Sequence, residues 1–507
     1  MLRDSARLSE LGKLKDLRGQ LKIKNLRCEQ DMVSELNYDG AILKEKRYLY
    51  SLILQWMPIE RENSDVEESD VIIKSMEALQ PHSSLKELAV DGYIGARFAS
   101  WFHSLINIVN LRLTDCDRCQ HLPPLNHLPL LKRLMLYGLR NLEHISEDMV
   151  KDFASDEMMM LAASPSTTFF PSLENLSLSH CPNLKGWWRN ETALASASSF
   201  PCLSTLYIWN CPNLTSMPLY LNLDKLVLLR SSWKVFPSSF VLSKLKSLEI
   251  KSVEDIEYVP EEGIGNLTLL QKLEIEDCPN LVSLPDQGMG RLISLQELRI
   301  WDCPKLTSLP EGMGNLTLLQ HLEISKCPNL VSLPNQGMGR LISLQSLDIS
   351  NCPKLASLPE GIGNLTLLED LLIKGCPNLV SLPNQGMGCH ISLQRLYISD
   401  CPKLASLPEG IGNLKSLSNL QIGCLPNLAS LPEGLRCLIS LQELKIWDCP
   451  NLASLPEGLC YLASLKRLII KDCPILKQRC QKETGEDWSK IAHIPYIRID
   501  PQPGPFF

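Results

Sequence analysis

Sulfur is the most abundant source of potential chemistry in this chain of 507 residues, which holds 19 cysteines. Cys116-Asp-Arg-Cys119, with His121 close behind, has the ligand types and short spacing that suit a zinc ion. A second set recurs every 24 or 25 residues: Cys278, Cys303, Cys327, Cys352, Cys376, Cys401, Cys449 and Cys473, with an imperfect copy at Cys424-Leu425-Pro426. Most of these open the phrase Cys-Pro-Xaa-Leu-Xaa-Ser-Leu-Pro. In that register Cys116 aligns with the recurrent column and Cys119 with the leucine three residues later. Both are therefore expected to face a core, and no metal is expected. A Ser-His-Asp or Cys-His catalytic set needs a cleft that orients its members, whereas the 9 histidines here are scattered. No Gly-Xaa-Xaa-Xaa-Xaa-Gly-Lys-Ser/Thr loop occurs, so the phosphate cradle and its lysine are missing. The expectation is no enzyme and no cofactor, with function on a surface.

Neighbours in a cysteine column lie about 4.8 Å apart and point the same way, a geometry that does not favour bridging. Free, buried thiols are expected, and with them an intracellular protein. Six Asn-Xaa-Ser/Thr sequons (Asn175, Asn190, Asn213, Asn266, Asn315, Asn364) read as secretion at face value, but three belong to a recurrent Gly-Asn-Leu-Thr that packing also explains. A net charge of -7 offers no basic footprint for nucleic acid or anionic membrane. Arg3, Asp4, Arg7, Glu10 and Lys13 interrupt the first leucines, unlike a signal peptide, and no run of about 18 apolar residues occurs.

What must position these residues is visible in one unit, Leu344 to Leu365. Leu347 and Ile349 alternate with Ser346, Asp348 and Ser350, the period of a strand with one buried face. Cys352 follows where the chain turns inward, and Pro353, which has no N–H, ends the ladder. Leu355, Leu358, Ile362 and Leu365 return along an outer segment kept irregular by Pro359, Gly361 and Gly363. A fixed period of this length with Leu-Xaa-Xaa-Leu-Xaa-Ile ahead of each cysteine is the signature of a leucine-rich-repeat solenoid. The expected fold is therefore an α/β solenoid, a horseshoe with a parallel inner sheet and an irregular outer arc.

The same frame fits Leu21/Ile23, Leu52/Leu54, Leu88/Val90, Leu111/Leu113, Leu134/Leu136, Leu176/Leu178, Leu206/Ile208, Leu226/Leu228 and Leu248/Ile250, then runs evenly from Leu273/Ile275 to Leu468. That gives about eighteen strands and an inner sheet of roughly 80 Å. The expected organisation is a solenoid over 1–472, irregular over 1–265 and regular over 266–472, with a C-terminal cap over 473–507. In the cap, Cys473 to Cys480 reads as a short helix, and Trp488, Ile491, Ile494 and Ile497 supply apolar residues. Leu8, Leu11, Leu14 and Leu17 resemble an outer arc already in progress, which suggests that repeats precede them. Three stretches are expected to leave the solenoid as loops: Glu60 to Asp70, Glu143 to Met160, and Trp187-Trp188-Arg189 with the Ala/Ser run after it.

Leu11-Gly-Lys-Leu-Lys-Asp-Leu-Arg-Gly-Gln-Leu-Lys-Ile, Leu52-Ile-Leu-Gln-Trp56, Glu77-Ala-Leu-Gln-Pro-His82, Arg97-Phe-Ala-Ser-Trp101 and Cys119-Gln-His-Leu-Pro-Pro-Leu125 resemble successive landmarks in the leucine-rich-repeat region of plant coiled-coil nucleotide-binding disease-resistance proteins. The ending Gly485-Glu-Asp-Trp-Ser-Lys-Ile-Ala-His-Ile-Pro495 is similar to the usual C-terminus of that family. The resemblance implies the sensor region of a cytoplasmic immune receptor. Its partners would be a pathogen effector or a guarded host protein, together with the nucleotide-binding domain it restrains. The alternative is a general intracellular scaffold that assembles signalling proteins, which would need neither set of landmarks.

Partner binding is expected where strands vary without harming the core. Tyr207 and Trp209 share one strand face, Arg299 and Trp301 another, Arg395 and Tyr397 a third, and Lys445 and Trp447 a fourth. Trp, Tyr and Arg are the usual anchors of protein interfaces.

Overall fold

The computed structural model describes residues 11, 14, 16–26, 43–57, 69–123, 125, 128–148, 170–190, 200–217, 222–235, 242–383, 387 and 391–499. The chain divides into two compact units, Met1–Leu245 and Lys246–Phe507.

In the first unit the strands Gly19–Leu26, Leu49–Trp56, Glu87–Asp91, Asn110–Thr114, Arg133–Tyr137, Asn175–Ser179, Thr205–Trp209 and Lys225–Leu229 pair in parallel in that order. Each buries the aliphatic pair expected of it, as Leu111 and Leu113 or Leu206 and Ile208 do, except the first, where Leu21 is half-buried beside buried Ile23. Corrections arise between the strands. Trp187 does not open a loop: Gly186–Asn190 is a strand paired with His144–Asp148. The Trp187 indole is buried edge-on against Phe170 and Phe200, which stack on each other at 5.4 Å. Stacked and edge-on ring pairs of this kind add to what burial alone contributes. Of the expected loop from Glu60 to Asp70, the last two residues open a helix, Ser69–Glu77. The rest of that stretch, residues 149–160, the run after Asn190 and Leu8 lie outside the described residues.

In the second unit the strands are five residues long and in unbroken register from Ser247–Lys251 through Lys272–Glu276, Glu297–Trp301, His321–Ser325, Ser346–Ser350, Asp370–Lys374, Arg395–Ser399, Asn419–Gly423 and Glu443–Trp447 to Arg467–Lys471. Leucine pairs with leucine and isoleucine with isoleucine across every step, so each repeat buries what its neighbour needs covered. Among the described residues the outer arc closes its turns with short helical turns, such as Glu360–Asn364.

The column cysteines are fully buried and unbridged. Each thiol donates to the carbonyl two residues back, as Cys352 Sγ does to Ser350 O at 3.4 Å. The residue just before each cysteine is left-handed: Asp277, Asp302, Lys326, Asn351, Asp400, Asp448 and Asp472 have φ between 48° and 57°, and Gly375 has φ 63°. Asp, Asn and Gly tolerate this conformation best, and the recurrence of Asp or Asn before Cys-Pro was the available signal. The turned residue donates its N–H to the end of the next strand, for example Asn351 to Lys374 O at 2.7 Å.

The last segment differs from expectation in one respect. The helix Pro474–Arg479 forms, but Tyr496–Ile499 then returns as a further strand beside Arg467–Lys471, placing Ile497 against Leu468 and Ile499 against Ile470. Asp487 fastens this cap. Its buried carboxylate accepts from Leu455 N at 3.0 Å, Arg479 Nε at 3.1 Å and Lys490 Nζ at 2.8 Å.

Candidate functional site

Alternation along five-residue strands leaves the first, third and fifth side chains of each facing away from the core. In the second unit six of the expected contact residues occupy those positions, and they fall into two groups.

Tyr397, Lys445 and Trp447 form the first. The strand between theirs ends in Gly423, and the Trp447 ring leans across it to stand 5.6 Å from the Tyr397 ring. Lys445 Nζ lies 5.0 Å from the Trp447 ring centre, a cation–π arrangement. Arg395, on the Tyr397 strand, is held by both oxygens of Asp370 in a forked pair, so its charge is already engaged. Arg299 and Trp301 make the second group. Trp301 is 39% exposed and carries Lys326 Nζ 4.7 Å from its ring centre. Arg299 Nε contacts Glu297 at 2.5 Å and Glu323 at 3.6 Å. Lys326, Gly423 and Asp370 were not singled out in the sequence. Gly423 was the detectable one, as the glycine that ends a five-residue strand.

Between these groups the outward face is acidic. Glu323 and Asp348 pair directly across adjacent strands. Burial raises the Glu323 carboxyl above its ordinary pKa, and the facing Asp348 adds to the rise. Burial raises Asp348 too, against the lowering effect of the Ser350 hydroxyl. At Glu274 burial is outweighed by hydrogen bonds from Lys251 and Lys272, and its pKa falls.

Tyr207 and Trp209 belong to the first unit and are half-buried. Trp209 ends a ladder of rings, 4.3 Å from His180, which stands 4.9 Å from Tyr137. Tyr207 lines a concave cavity of about 500 Å³ together with Arg112, Arg133 and Met135. The Cys116 and Cys119 thiols are buried and donate to backbone carbonyls, Cys119 Sγ to His121 O at 3.3 Å. Burial pushes the Cys119 thiol up to about 12, away from the thiolate a metal would need. Among the described residues no helix is long and apolar enough to cross a membrane.

Family models match along the chain: the R13L1/DRL21 leucine-rich repeats at residues 8–139, the RPS2-like plant disease resistance leucine-rich repeats at 96–230, and a leucine-rich repeat region at 245–385 and 322–501. An RPP13-like disease resistance protein 1 from Arabidopsis thaliana is 32% identical over 189 residues, covering 36% of this chain and 17% of the relative. Disease resistance protein RGA2 from Solanum bulbocastanum is 32% identical over 187 residues, covering 36% of this chain and 18% of the relative. The matched region thus spans under a fifth of the length of either relative. A leucine-rich-repeat protein from Leptospira interrogans superposes with a TM-score of 0.50 at 18% identity, covering 96% of this chain and 98% of that one. The glycosylated Toll–Spätzle complex from Drosophila gives 0.51 at 14% identity, with 90% and 67% covered. At these identities the two structures speak for the fold alone. With the repeat-region model spanning residues 245–501, half of the chain, and resistance-protein repeat models before it, the protein belongs to the leucine-rich-repeat family and carries a repeat region of the plant nucleotide-binding disease-resistance type.

Proposed function

We propose that this chain is the recognition module of a plant intracellular immune receptor, reading a pathogen effector or a guarded host protein through the outward strand faces of its second unit. The observation that carries this reading is the Tyr397–Lys445–Trp447 group, in which two rings and a cation sit on positions that the core does not use. Large rings with a charge alongside are what protein interfaces use as anchors, and a standard interface needs only about 800 Å² per partner, which a few adjacent strands supply. Trp301 with Lys326 and Arg299 is a second anchor of the same chemistry. Tyr207 and Trp209 would serve similarly in the first unit, and Arg395 would orient the site through Asp370. The bound partner would bias a nucleotide-binding switch whose phosphate loop these residues do not include. The location would be cytoplasmic, with neither nucleic acid nor membrane as ligand.

The test uses a full-length receptor carrying this region. Trp301→Ala and Trp447→Ala are expected to weaken partner binding, or the immune response that reports it, by at least about tenfold, the usual scale for an anchoring tryptophan. Asn364→Ala on the outer arc is expected to change nothing. If Asn364→Ala abolishes the response while the two tryptophan variants leave it intact, the recognition surface lies elsewhere.

A further inference from the structure

The outward face of the first unit's sheet is cationic, in a chain whose net charge is -7. Over the outward positions of its strands, Lys22, Lys24, Arg112, Arg133 and Lys225 stand against two carboxylates, Glu87 and Asp91. The cavity of about 500 Å³ lies along the middle of this face. Its lining runs from Gln20 to Tyr207 across seven neighbouring strands, with Arg112 on the fourth. At about 4.8 Å per strand it is a trough roughly 29 Å long rather than a compact pocket.

Three features of the floor select an occupant. Ile53, Met135 and Tyr207 supply apolar surface along its middle row, and the short side chains of Ala89 and Ser177 leave room between them. Near the centre stand two arginines on adjacent strands: Arg112 faces Met135 and Arg133 faces Asn110, so the two are diagonal neighbours roughly 8 Å apart at the backbone. Arg112 Nη2 comes no closer to Asp91 Oδ1 than 3.8 Å, and Arg133 forms no ion pair among the described residues. The arginines of the second unit's face are engaged instead, Arg299 by Glu297 and Glu323 and Arg395 by Asp370. Between the two free guanidinium groups and Glu87, Asn110 donates Nδ2 to Glu87 Oε1 at 2.8 Å, while its buried Oδ1 accepts no hydrogen bond among the described residues. An unmet buried acceptor on the floor calls for an N–H donor from above.

We propose that this trough binds an extended peptide segment of a partner protein, with one acidic residue at its centre and apolar residues on either side. About nine residues of extended chain, at about 3.3 Å each, fill its length. The central carboxylate sits between Arg112 and Arg133, where charge-assisted hydrogen bonds to guanidinium groups are strongest. A backbone N–H of the segment meets Asn110 Oδ1, and the apolar side chains enter the spaces beside Met135 and Tyr207. Glu87 and Asp91, on the strand next to Arg112, repel a second anion there, which favours a singly acidic peptide over a continuous phosphate backbone. The proposal rests on the reading of Tyr207 as a contact residue and adds the chemistry of what it contacts. It does not need the Trp301 and Trp447 anchors of the other unit.

The test presents the full chain with a library of nonapeptides in which aspartate is fixed at the central position and Leu, Phe, Ser or Gly varies elsewhere. Sequences retained should bind, by fluorescence polarisation of the labelled peptide, at least about tenfold more tightly than the same sequences with a central Asn or Lys. The double variant Arg112→Gln, Arg133→Gln should weaken the selected peptide by at least about tenfold. Ser177→Trp, which keeps both arginines but fills the trough, should weaken it as much, with circular dichroism of both variants matching the parent. Trp301→Ala and Trp447→Ala should leave peptide binding unchanged. Equal binding of the Asn or Lys peptides, full binding by either trough variant, or tighter binding of mixed-sequence single-stranded RNA to the same face would each overturn the proposal. Loss of peptide binding in Trp301→Ala or Trp447→Ala alone would move the peptide to the second unit, overturning this proposal and leaving the recognition reading of that unit intact.

Discussion

The indole of Trp447 occupies the space above Gly423, so that a β-carbon on that glycine would overlap ring atoms Cδ2 and Cε2. The missing side chain is what lets a ring on one strand reach Tyr397 two strands away. Gly423→Ala should therefore lift the indole from the sheet and break its contact with Tyr397, at a stability cost of about 1–3 kcal/mol typical of overpacking. Fluorine NMR of fluorotryptophan-labelled protein, with the resonance assigned through Trp447→Phe, would register the displacement. An unchanged Trp447 resonance in Gly423→Ala would contradict the packing described.

Burial pushes the thiols of Cys327 and Cys352 up to about 12, from an ordinary value of 9.0. Between those values the unfolded chain gives up protons that the folded chain keeps. The stability from each thiol is complete below pH 9 and is lost as pH rises toward 12, by up to about 1.4 kcal/mol per pH unit. Denaturant titrations across this window should show that decline, and a shallower one in Cys352→Ala. Cys352→Lys should cost about 3–5 kcal/mol, because an unpaired ammonium would enter the core. At pH 8, iodoacetamide should label exposed Cys202 and Cys460 in the native chain and the column cysteines only after denaturation.

The C-terminal cap depends on Asp487. Although its burial works against the charged form, hydrogen bonds from Arg479, Lys490 and the Leu455 N–H hold its pKa below the ordinary 3.8. A carboxylate shifted downward contributes stability above the unfolded value, and the contribution disappears as pH falls through the folded one. Asp487→Ala removes the acceptor of the buried Leu455 N–H and leaves Lys490 to the exposed Glu457 carboxylate, 2.9 Å away, and should loosen the cap by about 1–3 kcal/mol. Limited proteolysis should then cut between residues 473 and 499 well before the repeats. Parent-like resistance would remove Asp487 from this role.

The outer arc is tied together by carboxylates that reach from one turn to the next. Glu311 accepts the N–H groups of Asn335 at 2.8 Å, Gln336 at 3.1 Å and Gly337 at 2.7 Å, at the start of the following helical turn. Glu261 does the same for Gly288, and Asp286 for Gly312. Glu311→Ala should cost about 1 kcal/mol, the usual value of a lost cap. Hydrogen exchange should accelerate at residues 335–337 and leave the strand Ser346–Ser350 protected. Uniform acceleration across the second unit would mean instead that the repeats unfold as one.

Strand positions, the inward columns of leucine, isoleucine and cysteine, and the breaks at proline were legible because each depends on neighbours within a few residues and repeats at a constant interval. Leu347, Ile349 and Cys352 are buried where alternation and period require. Contacts between turns were not legible, since nothing in the order of residues says which side chain leans which way. The choice of Trp447 to cross Gly423, of Glu311 to cap Asn335, and of Trp187 to enter a cluster with Phe170 and Phe200 was made by tertiary packing. Tyr496–Ile499 joined the sheet for the same reason. Its aliphatics carry no repeat signature, yet the last regular strand presents an open edge whose backbone groups must be satisfied, and only the folded chain brings the two together.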